Sequence, residues 1–173
     1  GRVVTASVIP ASDVSPRALA ERNQRTATSP TTSVWVSASA GSGKTTVLTS
    51  RVLALLLSGT PPNRILCLTF TKAAAAEMAN RVAVRLSKWV TLSEGELLDD
   101  LATVHPGDID KPVVQRARRL FAEVLEAPGG LQISTLHAFC QSLLRRFPLE
   151  AGVAPHFTLI DERDSEETLA QAL

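Results

Sequence analysis

The chain has 173 residues, 45% of them hydrophobic and 20% charged, enough for one domain with a real core. Its net charge of +1 creates no global field for nucleic acid or a membrane surface, so any nucleic-acid site must be local. The longest unbroken apolar stretch, residues 52–57, is far too short to span a bilayer, and the opening residues lack a secretory signal. Two cysteines, Cys67 and Cys140, each lie in an apolar segment, and there is no CxxC pair. They read as buried, reduced thiols, which suits a cytoplasmic protein and gives a metal site little support. Gly1 in place of Met suggests a tag remnant or a boundary drawn within a longer chain.

Residues 1–14 show no clear period and are expected to fray. Ser15-Pro16 supplies an N-cap and a first helical position, which predicts a short helix to about Thr26. A turn cluster around Pro30 follows. Residues 33–38 are predicted as a first strand, because Val34-Trp35-Val36 favours extended backbone. Residues 44–57 are predicted as a helix and 58–63, with Gly59 and Pro61-Pro62, as a loop. Residues 64–70 (RILCLTF) read as a second, buried strand. The next helix, 72–89, places Met78, Val82, Leu86 and Trp89 at spacings of four, four and three, one apolar stripe.

The middle of the chain predicts two short helices, near 94–102 and 113–126, around a His105-Pro106-Gly107-Asp108 turn. Arg116, Arg118 and Arg119 on the second read as a solvated face. Pro128-Gly129-Gly130 ends that helix. A third strand over 131–135 and a helix over 136–147, stopped before Pro148, come next. Residues 157–160 read as a short strand and 161–173 as a helix opened by acidic residues. Strand, loop, helix, strand, helix, insert, strand, helix is the order of a parallel α/β nucleotide-binding domain. Such sheets bind ligands at the carboxyl ends of their strands, where Thr69-Phe70-Thr71 and Ser134-Thr135-Leu136-His137 fall.

The most specific motif is Ala38-Ser39-Ala40-Gly41-Ser42-Gly43-Lys44-Thr45, a phosphate-binding loop between a β-favouring run and a predicted helix. Gly41 and Gly43 let the backbone turn its N–H groups inward and approach a polyphosphate closely. The helix that follows, with Thr46 in its first turn, directs the positive end of its dipole at the same place. Lys44 is suited to β- and γ-phosphate oxygens, and Thr45 to a Mg²⁺ ion. Ala38 stands where the common pattern has Gly, at the strand end, where a methyl group fits. The competing reading is a chance Gly/Ser/Ala-rich turn capping a helix.

Other candidates are less specific. Gln24, 20 residues before Lys44, carries an amide that pairs with adenine through one donor and one acceptor, though Gln is common on helix surfaces. Thr69-Phe70-Thr71-Lys72 sets hydroxyls, a ring and an ammonium at one strand end, a set that suits single-stranded nucleic acid. Equally, Phe70 ends a core strand and Thr71 N-caps the next helix. His137 and Phe139 form a similar set, or a packed His beside a core Phe. The run Phe157 to Glu162 ends in Asp161-Glu162, as does a strand that supplies a Mg²⁺-binding Asp and a water-polarising Glu. On that alternative the chain is a small self-contained NTPase or phosphotransferase.

Gln24, residues 38–45, Thr69-Phe70-Thr71 and Thr135-Leu136-His137-Ala138-Phe139-Cys140 occur in the order of motifs Q, I, Ia and Ic of superfamily 1A DNA helicases of the UvrD/Rep group, which the chain resembles. Residues 65–80 and 135–153 look most like the AddA helicase subunits of bacterial AddAB helicase–nuclease complexes. The resemblance implies an incomplete RecA-like P-loop NTPase sheet with flanking helices and a helical insert. It implies ATP-driven 3′→5′ movement along single-stranded DNA, an AddB-like nuclease partner, and a role in double-strand break repair and recombination.

Carried over by residue, it assigns adenine to Gln24, and triphosphate and Mg²⁺ to the loop with Lys44 and Thr45. The DNA track falls to Thr69, Phe70, Thr71, His137 and Phe139. Many relatives read Thr-Phe-Thr-Asn-Lys-Ala-Ala, whereas Lys72 here follows Thr71 directly and falls on a different helix face. The family's Walker B reads Asp-Glu-x-x-Asp, and here the fifth position is Ser165, so that motif and the arginine fingers are expected beyond Leu173. The implied organisation is a flexible 1–14, domain 1A over 15–90 and 131–160, the insert over 91–130, and the start of domain 1B over 161–173. The fragment alone is expected to be inactive.

Overall fold

A computed structural model of the chain describes residues 16–37, 41, 43–105, 107–154, 156 and 157. It divides into two compact units, residues 1–134 and 135–173. The first unit holds α1 (Pro16–Thr28), α2 (Lys44–Leu57), a 3₁₀ turn (Pro62–Arg64), β1 (Leu66–Thr69), α3 (Lys72–Thr91), α4 (Glu94–Ala102), α5 (Lys111–Glu126) and most of β2 (Gln132–Thr135). α6 (Leu136–Arg146) lies in the second. β1 and β2 pair as a small parallel sheet. The three helices between them form the long crossover that parallel strands require.

Helix starts follow local chemistry. Thr71, Asp110 and Thr135 each accept a hydrogen bond from a backbone N–H three residues on, capping α3, α5 and α6. Ser93 and Glu96 form a reciprocal capping box at α4, and the Ser93 bonds hold the Glu96 carboxyl below its usual range. After α5, Gly129 and Gly130 both take positive φ, at 77° and 56°, which turns the chain into β2.

The core is helical. Leu53 and Leu56 of α2 meet Val82, Leu86 and Trp89 of α3, Leu97 and Leu101 of α4, and Ala117 and Leu120 of α5. The predicted stripe of α3 is buried along its whole length, through Met78, Val82, Leu86 and Trp89. Trp89 is 0% exposed, and its indole N–H donates to Asp100 Oδ2 at 2.5 Å. Arg85 grips the same carboxylate, Nε to Oδ2 at 2.9 Å and a terminal nitrogen to Oδ1 at 3.1 Å. Burial by itself raises the Asp100 carboxyl. The hydrogen bonds from Arg85 and Trp89, with the charges of Arg85 and Lys88, outweigh it and hold the group below its ordinary value.

The arginines of α5 correct the expectation of a solvated face. Arg116 donates from Nε to Leu56 O at 3.0 Å, at the end of α2. Arg118 donates to Trp89 O and Val90 O at 2.7 and 3.0 Å, at the end of α3. Each guanidinium satisfies carbonyls that a helix C-terminus leaves without an intrahelical donor, and its charge suits the negative end of the dipole. Arg119 is exposed as expected.

The strands depart more from expectation. In place of a first strand over 33–38, Ser33 makes an isolated bridge, 34–37 join no ladder, and Ala38 lies outside the described residues. Trp35 is 93% exposed. β1 is shorter than predicted and is not buried: Leu66 and Leu68 are exposed, and only Ile65 and, in part, Cys67 turn to the core. A strand needs a partner on each edge and a cover on each face, and a two-stranded sheet supplies neither in full. Burial pushes the Cys67 thiol up, so it stays protonated and unreactive. Cys140, expected to be buried, is exposed on α6, which buries none of its residues.

Candidate nucleotide-binding site

α2 begins at Lys44, and its N-cap Gly43 sits in the left-handed region at φ 83°. Gly41 does the same at φ 79°. An added Cβ at Gly41 would meet nothing within 4 Å among the described residues, so backbone conformation, not space, calls for glycine there. Among the described residues no side chain caps α2, and its first turn carries no acid. The positive end of its dipole therefore favours an anion ahead of the helix. Lys44, Thr45 and Thr46 occupy the first three positions, all exposed. Thr49 Oγ1 donates to Thr45 O at 2.9 Å, inside the helix. Ala38, Ser39, Ala40 and Ser42 lie outside the described residues.

α1 packs against α2 and brings Gln24 to this place. The Gln24 amide nitrogen lies 3.9 Å from the point that a Cβ on Gly43 would occupy. Residues about 20 positions apart in sequence thus meet at the rim of the phosphate loop. These side chains fit a nucleotide and its cation: an ammonium and backbone amides for oxyanions, a hydroxyl oxygen for a hard ion, an amide for a base edge. Among the described residues no group of three His, Cys, Asp or Glu side chains could hold a metal by itself. A Mg²⁺ ion here would rest on phosphate oxygens and Thr45.

At the end of β1, Thr69 is half-buried and Phe70 is 82% exposed. The reading of Phe70 as the end of a core strand is therefore corrected. Thr71 caps α3 through Oγ1, which accepts from Ala74 N–H at 3.2 Å, and Lys72 opens that helix. In the second unit, Thr135 Oγ1 accepts from Ala138 N–H at 3.1 Å, His137 is exposed and Phe139 is half-buried. Neither is a core residue. Thr158 to Glu162, with Asp161 and Glu162, lie outside the described residues.

Arg51 escaped the sequence reading. Its terminal nitrogens donate to Ala27 O at 2.9 Å, Ser29 O at 2.7 Å and Thr32 O at 2.5 Å. The signal was present: Arg51 is the one charge in the apolar run from Thr45 to Leu57. A charge in such a setting needs partners.

A mixed α/β domain with a glycine-hinged loop opening its second helix belongs, by fold and site, to the class that receives phosphate at a helix start. Residues 19–173 match the family described as UvrD/REP helicase N-terminal domain, and the chain belongs to that family. Curated relatives named as the AddA chain of an ATP-dependent helicase/nuclease match as well. The Lactobacillus acidophilus protein is 38% identical over 149 residues, covering 81% of this chain and 11% of its own length. That of Enterococcus faecalis is 37% identical over 136 residues, covering 79% and 9%. That of Desulforudis audaxviator is 36% identical over 143 residues, covering 79% and 10%. The chain spans about a tenth of the length of these relatives.

Proposed function

We propose that this chain supplies the ATP-binding start of the first, RecA-like motor domain of a DNA helicase. The observation that carries the reading is the Gln24 amide beside a glycine-hinged helix start that bears Lys44 and Thr45. In this reading Gln24 contacts adenine, and residues 38–46 hold the phosphates with Lys44 and the α2 amides. Thr45 ligates Mg²⁺, which lowers the charge that an attacking water meets. Thr69, Phe70 and Thr71 contact single-stranded DNA, with the exposed Phe70 ring as a stacking surface. His137 and Phe139 belong to the same DNA track.

The relatives' name, one lettered component of an ATP-dependent helicase/nuclease, supports an ATP-driven motor that works with a second chain. Movement in the 3′→5′ direction, an AddB-like nuclease partner, a role in double-strand break repair and a cytoplasmic location complete the proposal. Walker B and the arginine fingers then come from the longer polypeptide, so the isolated chain binds nucleotide at best weakly and unwinds nothing. The test is Lys44→Ala in the full-length protein. Loss of DNA-stimulated ATP hydrolysis by at least about 100-fold is expected, since the ammonium meets charge that grows in the transition state. Hydrolysis at wild-type rates would overturn the reading.

A further inference from the structure

We propose that Arg51 is the positioning residue that fixes the Gln24 helix against the phosphate loop and thereby sets selectivity for the base. The inference rests on the nucleotide reading above. Arg51 lies on α2, two turns beyond Lys44, on the same rigid element that presents the phosphate-binding amides. Its guanidinium reaches three carbonyls of one short segment, Ala27, Ser29 and Thr32. Ala27 lies in the last turn of α1, whose terminal carbonyls lack intrahelical donors, and Ser29 and Thr32 belong to the turn that leads on toward the loop.

One planar group therefore fastens the end of the base-reading helix to the helix that receives phosphate. Gln24 lies less than one turn before Ala27 on α1. Its amide stands 3.9 Å from the Cβ position of Gly43 only while α1 keeps that place. A shift of α1 of about 1 Å breaks the donor–acceptor pairing of an amide with adenine, because a hydrogen bond weakens steeply outside its narrow range of distance and angle. The same shift leaves Lys44, Thr45 and the α2 amides where they are. Arg51 acts through Gln24 and does not touch the nucleotide. Its fork of donors matters more than its charge, since a lysine ammonium cannot span three separated carbonyls.

The experiment uses the full-length protein and steady-state hydrolysis of ATP and GTP by the wild type, Arg51→Lys, Arg51→Gln, Gln24→Ala and Lys44→Ala. For both Arg51 variants KM for ATP should rise about 10-fold, the loss of one good pairing, with kcat within about twofold. KM for GTP should hardly move, so the preference for ATP falls. In the Gln24→Ala background, Arg51→Lys should add less than about twofold, because the two act as a unit. Unchanged ATP preference, equal loss for both nucleotides, or loss of the fold in both Arg51 variants would overturn the proposal and make Arg51 a residue of general stability. Wild-type hydrolysis by Lys44→Ala would instead overturn the nucleotide reading itself, so the two failures are distinct.

Discussion

Asp100→Ala is the sharpest probe of how the helical core is held. Asp100 accepts from the Trp89 indole N–H at 2.5 Å and from Arg85 at 2.9 and 3.1 Å. Trp89 is fully buried, so truncation strands its N–H away from water, at a cost of about 1–3 kcal/mol. Arg85 is different. Its side chain keeps 22% exposure and that of Asp100 32%, and Arg85 also donates to Asp100 O and to Thr103 Oγ1. Part of its loss is recovered by water, so the ion pair adds about 1 kcal/mol at most. The expected total is about 2–3 kcal/mol, read as a lower urea midpoint by circular dichroism. Trp89→Phe removes the donor, so in that background Asp100→Ala should cost about 1–2 kcal/mol less. A loss under about 0.5 kcal/mol, or costs that add without coupling, would refute the assignment of the penalty to the buried indole.

The same carboxylate predicts a pH dependence. Its folded value lies below the ordinary 3.8, so the unfolded chain binds the proton more readily. The contribution is complete above the ordinary value and is lost as pH falls through the folded one. Urea midpoints from about pH 5 to about pH 2.5 should therefore fall less steeply for Asp100→Ala than for the wild type. Leu101→Ala empties a site that is 0% exposed in the helical core, and should cost about 2–5 kcal/mol in the same assay. Gly43→Ala meets Gln24 only at ordinary contact distance, so its cost is the left-handed backbone, about 1–2 kcal/mol, with weaker ATP binding by calorimetry. Phe70→Ala should leave stability within about 0.5 kcal/mol, because the ring is exposed. In the full-length protein it should weaken single-stranded DNA binding by about 1–3 kcal/mol in fluorescence anisotropy.

Most helices were legible because their signals are local. The predicted bounds of α2 and α4 match the structure, and α3 extends two residues past its predicted end. α1 likewise runs two residues beyond Thr26, held by Thr28 Oγ1 donating to Gln24 O at 2.8 Å. Helix bonds join residues four apart, and a cap or an apolar stripe is written in the same few positions. The glycines of the phosphate loop were legible for a similar reason, as left-handed backbone marks them one by one.

What the sequence determined by itself is thus the helical framework, the glycine-hinged loop with Lys44 and Thr45, and membership of a helicase family. Tertiary structure alone decided the rest. It placed Gln24 beside Gly43, and it turned Arg51, Arg116 and Arg118 into caps for the ends of α1, α2 and α3. It also left Val34, Trp35, Val36, Leu66 and Leu68 exposed where a buried sheet was expected. The physical reason is common to all of these. A strand's ladder, a guanidinium's carbonyls and an amide's neighbour across two helices are partners distant in the chain. Composition and period record what a residue prefers, and only the fold determines which partner it meets.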